Sequence, residues 1–112
     1  MPRNMSFMLT TEQIRNRTKT VTRRLGWWFL KPGDIVNAVE KGMGLKKGEK
    51  VKRICQIRVV STRKECVAYI SMSDIIKEGF GNVPLEDFIN LFCEHNDCNP
   101  YTIVNRIEFE YI

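Results

Sequence analysis

Residues 18–24 of this 112-residue chain read TKTVTRR and combine side chains that amide and phosphate chemistry uses. A lysine amine whose pKa is lowered by a neighbouring arginine can act as a base and activate a weak nucleophile such as a threonine hydroxyl. An arginine can hold a phosphate or a carbonyl oxygen with a forked pair of hydrogen bonds. Lys19, Thr22 and Arg24 are therefore candidates for a base, a nucleophile and a substrate-binding group.

Whether these groups meet depends on the conformation of the segment. Its threonines and Val21, without glycine or proline, predict a β-strand, in which successive side chains point to opposite faces. Thr22 and Arg24 then share one face and Lys19 and Arg23 the other, and a turn at the start of the strand would bring Lys19 toward Thr22. The alternative is a half-exposed strand with Val21 inward. Arg23 is interpreted as scaffold or surface.

The elements around this strand are predicted from caps and turns. Residues 10–19 indicate a short helix, because Thr10 or Thr11 can cap it and arginines follow toward its end. A Lys-Pro-Gly-Asp turn at 31–34 precedes a second strand over 35–40. The candidate residues thus lie between a helix and a tight turn.

The rest of the chain changes from period-2 to helical patterns and back. Residues 51–63 alternate as a long strand, with 65–72 as its hairpin partner. A short helix capped by Ser73 and an amphipathic helix over 83–96 follow, before a closing strand over 102–112. Helices placed late among several short strands favour an α+β fold with a small barrel-like sheet.

Composition narrows the classes of function. The chain carries 18 Lys and Arg against 13 Asp and Glu, a formal charge of +5 that suits an anionic partner. Its length suits a single domain over residues 1–112. No apolar run is long enough for a membrane span and no secretory leader is visible, so we expect a cytoplasmic protein with no membrane partner and with reduced cysteines.

Cys93, His95 and Cys98 are three possible zinc ligands within the segment CEHNDC. The segment contains no Cys-x-x-Cys pair, and Cys93 can pack in the core of the amphipathic helix. His95 suits the C-terminal end of that helix, where the dipole favours positive charge. We therefore predict neither a metal site nor a cofactor.

The sequence NRTKTVTRR, followed by a Pro-Gly-Asp turn and a strand, resembles the G-x-K-x-x-T-x-R motif of the ASCH domain, a small relative of the PUA fold. Lys19, Thr22 and Arg24 match the motif, and Arg17 replaces its glycine. The segments KEGFGNVPLEDFINLF and VNRIEFEYI resemble the corresponding parts of small phage and bacterial members. The resemblance implies an α+β fold with a mixed, PUA-like β-barrel of five to six strands and flanking helices.

The resemblance also implies a function. ASCH domains are generally thought to bind RNA or nucleotides, and a subgroup of small bacterial members hydrolyses N4-acetylcytidine with a lysine, a threonine and a glutamate. Carried over to this chain, Lys19 would be the base and Thr22 the nucleophile, with Arg24 orienting the substrate. Glu78 is the candidate for the glutamate, acting as an acid, and the alternatives are Glu86 or a position that the resemblance does not match.

Further contacts to nucleic acid are predicted outside the motif. Trp27 and Trp28 would face opposite sides of a strand, so that one packs in the core and the other can stack on a base, and packing of both is the alternative. Arg17 would narrow the cleft or contact a phosphate. Lys46 and Lys47 belong to a basic loop that would bind phosphates, unless the loop is only solvated.

Three functions are consistent with these features. The first is binding of RNA, single-stranded nucleic acid or a modified nucleoside in a cleft lined by Lys19, Thr22 and Arg24. The second is an N4-acetylcytidine amidohydrolase with the same residues and Glu78. The third is a phage-type module that binds a host protein and has a vestigial cleft, which an apolar patch at the tryptophans without basic neighbours would favour.

Overall fold

The computed structural model describes residues 2–41 and 47–112. Within these ranges, five strands form one sheet: β1 (Arg3–Ser6), β2 (Val21–Arg24), β3 (Ile35–Val39), β4 (Arg53–Cys66) and β5 (Ile103–Tyr111). They are accompanied by α1 (Thr11–Arg15), α2 (Met72–Lys77) and α3 (Leu85–Asn96), and by short 3-10 helices over Met8–Thr10 and Val67–Tyr69. The predicted α+β fold with flanking helices is confirmed.

The sheet is mixed and curls into a half-barrel. Its strand order is β1-β3-β4-β5-β2, with β1 and β3 parallel and the other pairs antiparallel. The edge strands β1 and β2 are joined by the Arg24 guanidinium, which donates a 2.7 Å hydrogen bond to the Ser6 carbonyl. Within the described chain this side chain bridges the edges where no backbone ladder connects them, and we call the gap between β1 and β2 the seam.

Strand β4 replaces a predicted hairpin. Residues 61–64 were predicted to turn, but they stay extended because each pairs with a residue of β5. The segment STRK has no glycine, proline or asparagine to reverse the chain. Residues 65–72, predicted as a partner strand, instead finish β4, form a 3-10 helix and enter α2. The hairpin prediction was wrong.

Smaller differences lie at the ends of elements. Strand β1 was not predicted, because four residues of which only Met5 is buried and apolar give little periodic pattern. Helix α1 ends at Arg15, short of residue 19, and Arg17 then adopts a positive φ of 63°. Ser71 caps α2 in place of Ser73, since its hydroxyl accepts a hydrogen bond from the backbone N–H three residues later.

Two apolar clusters stabilise the fold. The barrel core joins α1 to the sheet and comprises Met5, Phe7, Ile14, Leu30, Val36, Ala38, Ile57, Val59, Ile107 and Phe109. The helix core packs α2 and α3 against the start of β5 and comprises Val67, Ile70, Ile75, Phe88, Phe92 and Val104. The barrel core thus holds α1 against the sheet, and the helix core holds α2 and α3 against β5.

The remaining general features concern membranes, thiols and metals. No helix within residues 2–41 and 47–112 has the length and apolar character to cross a bilayer. The four cysteines are free thiols. The described residues contain no group of three or more histidine, cysteine or carboxylate side chains that could hold a metal ion.

Candidate active site

A pocket of about 210 Å³ opens at the seam. Strand β1 and the turn after it provide one wall, β2 and the end of α2 provide the second, and α3 provides the third. The polar lining residues are Ser6, Thr10, Lys19, Thr22, Arg23, Arg24, Glu78, His95 and Asn96, and the apolar ones are Phe7, Met8, Leu9, Phe80, Phe88, Leu91 and Phe92. The charged lining residues thus come mainly from the wall formed by β2 and the end of α2, and the apolar ones come mainly from the other two walls.

Thr22 and Arg24 meet on one face of β2, as the period-2 pattern predicted. Arg24 Nε donates a hydrogen bond of 3.0 Å to Thr22 Oγ1, and the guanidinium lies 4.7 Å from the centre of the Phe7 ring. Burial lowers the pKa of Arg24 to about 10, so the side chain stays cationic at neutral pH. Its Nη1 makes no hydrogen bond among the described residues and is available to a ligand.

Lys19 and Glu78 form a buried ion pair. Lys19 Nζ lies 2.8 Å from Glu78 Oε1 and donates a second hydrogen bond, also 2.8 Å, to the Glu78 carbonyl oxygen. Burial lowers the pKa of Lys19 below its usual value, Glu78 opposes this change, and Arg24 and Arg23 add to it. An amine that gives up its proton more easily than in water is what a lysine base requires.

Glu78 also belongs to a larger network, which we call the ion cluster. Arg23 Nη1 lies 3.0 Å from Glu78 Oε2, and Arg23 Nη2 contacts both Asp74 and Glu65. Arg106 in turn holds Asp74 with hydrogen bonds of 2.7 and 2.9 Å. The ion cluster therefore consists of three cations and three carboxylates, Lys19, Arg23, Arg106, Glu65, Asp74 and Glu78.

Backbone contacts hold the end of α2 against the start of β2. The Thr20 N–H donates to the Lys77 carbonyl over 2.7 Å, which places the next residue, Glu78, beside Lys19. Gly79 follows with φ 96°, and a Cβ there would lie 2.8 Å from the side chain of Gln13. The Tyr111 hydroxyl donates to the Lys19 carbonyl over 2.5 Å. The Lys19 N–H also donates to the Gln13 carbonyl over 3.2 Å, so that α1, the end of α2 and β5 each hold the lysine.

The structure brings together the four residues that carry the prediction of a pocket. Lys19, Thr22, Arg24 and Glu78 all line it. Glu86, the alternative glutamate, is exposed on the first turn of α3 and is not part of the pocket lining. Lys19, Thr22 and Arg24 therefore converge in one pocket with a carboxylate, that of Glu78.

The other predicted binding residues do not line the pocket. Arg17 is exposed with its guanidinium 5.4 Å from the centre of the Tyr111 ring, and Lys47 is exposed on its loop. Lys46 lies outside the described residues. Trp27 and Trp28 lie in the loop after β2 and not on a strand, so the alternation of side chains along a strand does not explain their positions. Trp27 nevertheless packs against the barrel core, and Trp28 is 50% exposed.

Several site residues were missed by sequence reasoning. Arg23 was assigned to scaffold or surface, although its position two residues from buried Val21 on the same face indicates an inward side chain that needs carboxylate partners. The β1 wall was missed because β1 was not predicted. His95 was assigned only to the helix end, and it also lines the pocket.

Comparison with solved structures identifies the fold. Protein EF3133 from Enterococcus faecalis V583, of the family DUF984, matches with a TM-score of 0.72 and 16% identity over 100% of this chain and 80% of that one. An ASCH domain from Lactobacillus crispatus JV V101 matches with a TM-score of 0.65 and 18% identity over 97% of this chain and 78% of that one. Hypothetical protein PH0355 matches with a TM-score of 0.67 and 21% identity over the full length of both chains.

These likenesses define the class of structure. The chain has the ASCH type of PUA-like fold, and the resemblance is confirmed at the level of the fold. No protein-family model and no curated protein matches the sequence.

Proposed function

We propose that the pocket binds a nucleoside with an acylated exocyclic amine, N4-acetylcytidine, and hydrolyses its amide bond. The observation that carries this proposal is the convergence of three buried residues, Lys19, Thr22 and Glu78, in one pocket. We infer from the fold and the motif together that the chain is a member of the ASCH family. The pocket volume, about 210 Å³, lies below the roughly 300–1,000 Å³ of drug-sized sites and suits one base better than a strand.

The first step forms an ester on Thr22. Once the Lys19 ammonium has given up its proton, Nζ takes the hydroxyl proton as Thr22 Oγ1 attacks the acetyl carbonyl carbon, and the carbon–nitrogen bond to the base breaks. The resulting ammonium returns this proton to the leaving N4, which becomes the amine of cytidine. Water then attacks the ester carbon, Lys19 passes one proton from the water to Oγ1 as the carbon–Oγ1 bond breaks, and acetic acid leaves and ionises to acetate in solution.

Glu78 has a different role in this scheme from the acid that the resemblance implies. Both of its carboxylate oxygens accept hydrogen bonds from cations, Oε1 from Lys19 and Oε2 from Arg23. Glu78 therefore orients Lys19 and stabilises its ammonium form, as the carboxylate of a hydrolase triad does for its histidine, and Lys19 itself supplies the proton to the leaving group.

Arg24 completes the proposed mechanism. Its Nε binds Thr22 Oγ1, which stabilises negative charge on that oxygen as the proton leaves. Its Nη1, unused among the described residues, can donate to the acyl oxygen, on which charge develops in the tetrahedral intermediate. One cationic group thus serves both the nucleophile and the oxyanion.

The direct test is hydrolysis of N4-acetylcytidine, followed by the change in ultraviolet absorbance and by acetate release. We expect turnover by the wild type and a loss of about 10²–10⁴-fold in kcat for Lys19→Ala, the range typical of a general base, and at least as large a loss for Thr22→Ala. Thr20→Ala is the matched control, because Thr20 lies on the same segment but outside the pocket lining. No hydrolysis by the wild type, or equal activity in Lys19→Ala, would contradict the proposal.

A second candidate function is contact with single-stranded RNA outside the pocket. Lys64 Nζ lies 5.8 Å from the centre of the exposed Trp28 ring, and Arg3 lies 4.6 Å from that of exposed Phe29. Exposed rings with neighbouring cations provide stacking and phosphate attraction, the two contributions that sequence-tolerant RNA binding uses. These cations also mean that the patch is not the purely apolar one that would favour a host-protein partner.

Fluorescence anisotropy with a labelled single-stranded RNA tests this candidate. We expect binding that weakens as salt rises, and that weakens further in Trp28→Ala. Tyr101→Ala is the control, because Tyr101 is also an exposed aromatic residue, with 79% exposure. Absence of binding at low salt would contradict this second function and leave the nucleoside proposal intact.

A further inference from the structure

Arg23 is the most enclosed charged side chain at the site, and the ASCH motif does not include it. Its side chain is 0% exposed and contacts three carboxylates, Glu65, Asp74 and Glu78. Burial of a guanidinium is costly unless such partners satisfy it. Arg23 does not touch Thr22 in the described contacts, so its link to the proposed reaction runs through Glu78.

We propose that Arg23 is a positioning residue, which shares the Glu78 carboxylate with Lys19 and thereby keeps Lys19 able to lose its proton. The inference rests on the proposed function, because it deepens the role of the same pocket. Glu78 gives one oxygen to each cation, Oε1 to Lys19 at 2.8 Å and Oε2 to Arg23 at 3.0 Å. Arg23 thus fixes the rotation of the Glu78 carboxylate. It also binds part of the negative charge of Glu78, which weakens the attraction between that carboxylate and Lys19.

Without Arg23 the balance at Lys19 changes in one direction. Both oxygens of Glu78 would serve the lysine alone, and a nearby positive charge would be gone. Each change favours the ammonium form of Lys19 and so raises its pKa. The charged or titratable groups around this pair come from every neighbouring element, namely Arg23 and Arg24 on β2, Glu65 on β4, Asp74 on α2, His95 on α3, and Arg106 and Tyr111 on β5.

The test is Arg23→Gln, with the titration of Lys19 read directly. The ¹³Cε resonance of Lys19, assigned by its loss in Lys19→Arg, reports the protonation of Nζ without any substrate. We expect the pKa of Lys19 to rise by about one pH unit in Arg23→Gln, the size of effect that one close charge produces at a buried site. In the kinetic assay, the pH at which kcat rises should increase by the same amount. At pH values below that rise, kcat should be about tenfold lower than in the wild type, with KM little changed.

Arg106→Gln is the matched control, because it removes the same charge from the ion cluster at a residue that contacts Asp74 but not Glu78. We expect it to lower the melting temperature as Arg23→Gln does, but to leave the titration of Lys19 close to that of the wild type. An equal rise of the Lys19 pKa in both variants would overturn the inference. The net charge of the ion cluster, and not the Arg23–Glu78 contact, would then determine the pKa of Lys19.

Arg23→Lys covers the case in which Arg23→Gln does not fold. The substituted lysine keeps the positive charge of Arg23 but lacks the planar guanidinium that binds several carboxylates at once. We therefore expect the titration of Lys19 to stay near its wild-type position while kcat falls several-fold. Wild-type kcat in this variant would overturn the inference. The two proposals fail separately: a shifted Lys19 titration without hydrolysis of N4-acetylcytidine rejects the proposed function alone, and hydrolysis with an unchanged titration in Arg23→Gln rejects the role of Arg23 alone.

Discussion

The barrel core and the ion cluster are both buried, and they stabilise different things. The barrel core is built from aliphatic and aromatic side chains of α1 and the sheet, whose contacts are non-directional and tolerate change of shape. The ion cluster places six charged groups between β2, β4, β5 and α2, where each contact needs a particular atom pair. One region supports the fold, whereas the other determines where individual side chains lie.

The difference indicates why charges are buried at all in so small a protein. A buried ion pair adds little net stability, because desolvation of both charges offsets their attraction. Removing one member is nevertheless costly, since its partners stay buried without compensation. A cluster that fixes Lys19 and Glu78 to within hydrogen-bond distance is therefore better explained by the needs of the pocket than by those of the fold.

The largest effect is expected in the barrel core. Phe109 is almost completely buried and packs against Phe7 at a ring distance of 6.0 Å. Phe109→Ala should lower the free energy of unfolding by about 3–5 kcal/mol, through lost apolar burial and the cavity that remains. The loss should be the same at pH 4 and pH 7 in urea unfolding, because no titratable group is removed. Glu110→Ala, at the exposed neighbour, should change stability by less than about 0.5 kcal/mol.

The ion cluster should respond to pH where the barrel core does not. Hydrogen bonds from Arg106, and then those from Arg23, hold the pKa of Asp74 well below its ordinary value. Asp74→Asn should lower the free energy of unfolding by about 3 kcal/mol at pH 7, since two arginines lose a buried anion.

The sign of the pH dependence follows from the lowered pKa. A carboxylate whose folded-state pKa is depressed stabilises the protein fully above its unfolded-state pKa, about 3.9, and loses this contribution as pH falls further. The stability difference between wild type and Asp74→Asn should therefore be constant from pH 7 to pH 5 and shrink below about pH 4. A difference independent of pH would contradict the assignment of Asp74 as the anion of the cluster.

A smaller effect on stability, with a larger one on the pocket, is expected at Gly79. Alanine there is strained by the φ of 96° and meets Gln13, so we expect the backbone at residue 79 to shift and to carry the preceding residue, Glu78, away from its position beside Lys19. Gly79→Ala should cost about 1–3 kcal/mol, as other strained substitutions do, and lower kcat for N4-acetylcytidine. Gly81→Ala is the matched control: its φ of 62° gives strain, but its Cβ meets nothing within 4 Å. Equal kcat in both variants would show that Gly79 has no role in placing Glu78.

The smallest expected effect lies outside both regions. Arg17 occupies a left-handed conformation, with φ 63°, at the position where the ASCH motif has glycine. Arg17→Gly should raise the free energy of unfolding by about 0.5–1 kcal/mol, because glycine adopts this conformation without steric cost. Asn16→Gly, at a φ of −89°, should lower it, since it also removes the hydrogen bonds to Thr18. Thermal unfolding of the two variants gives the comparison.

The sequence was most informative where chemistry is local. Lys19, Thr22 and Arg24 lie within six positions, so their relation follows from strand periodicity, and the structure keeps Thr22 and Arg24 in contact as that periodicity requires. The closing strand and the amphipathic helix were predicted from patterns of similar local range. Arg17 has a left-handed backbone conformation. The sequence feature that indicates this conformation is the glycine that the ASCH motif has at the same position.

What could not be predicted depends on pairs far apart in the chain. Glu78 meets Lys19 across 59 positions and Arg23 meets Asp74 across 51, and no local pattern indicates either partner. The resemblance, and not periodicity, pointed to Glu78. The predicted hairpin failed for a similar reason, because pairing with distant β5 kept residues 61–64 extended.

The bridge from Arg24 to Ser6 has a consequence for how this site can diversify. A barrel closed by a backbone ladder has a mouth whose width is set by strand register, and altering it means re-pairing the sheet. Here one guanidinium spans the distance between the two edge strands at the mouth. The width of the seam thus depends on a single side chain, so that a substitution at this position can change this side of the entrance while every strand pair stays in place.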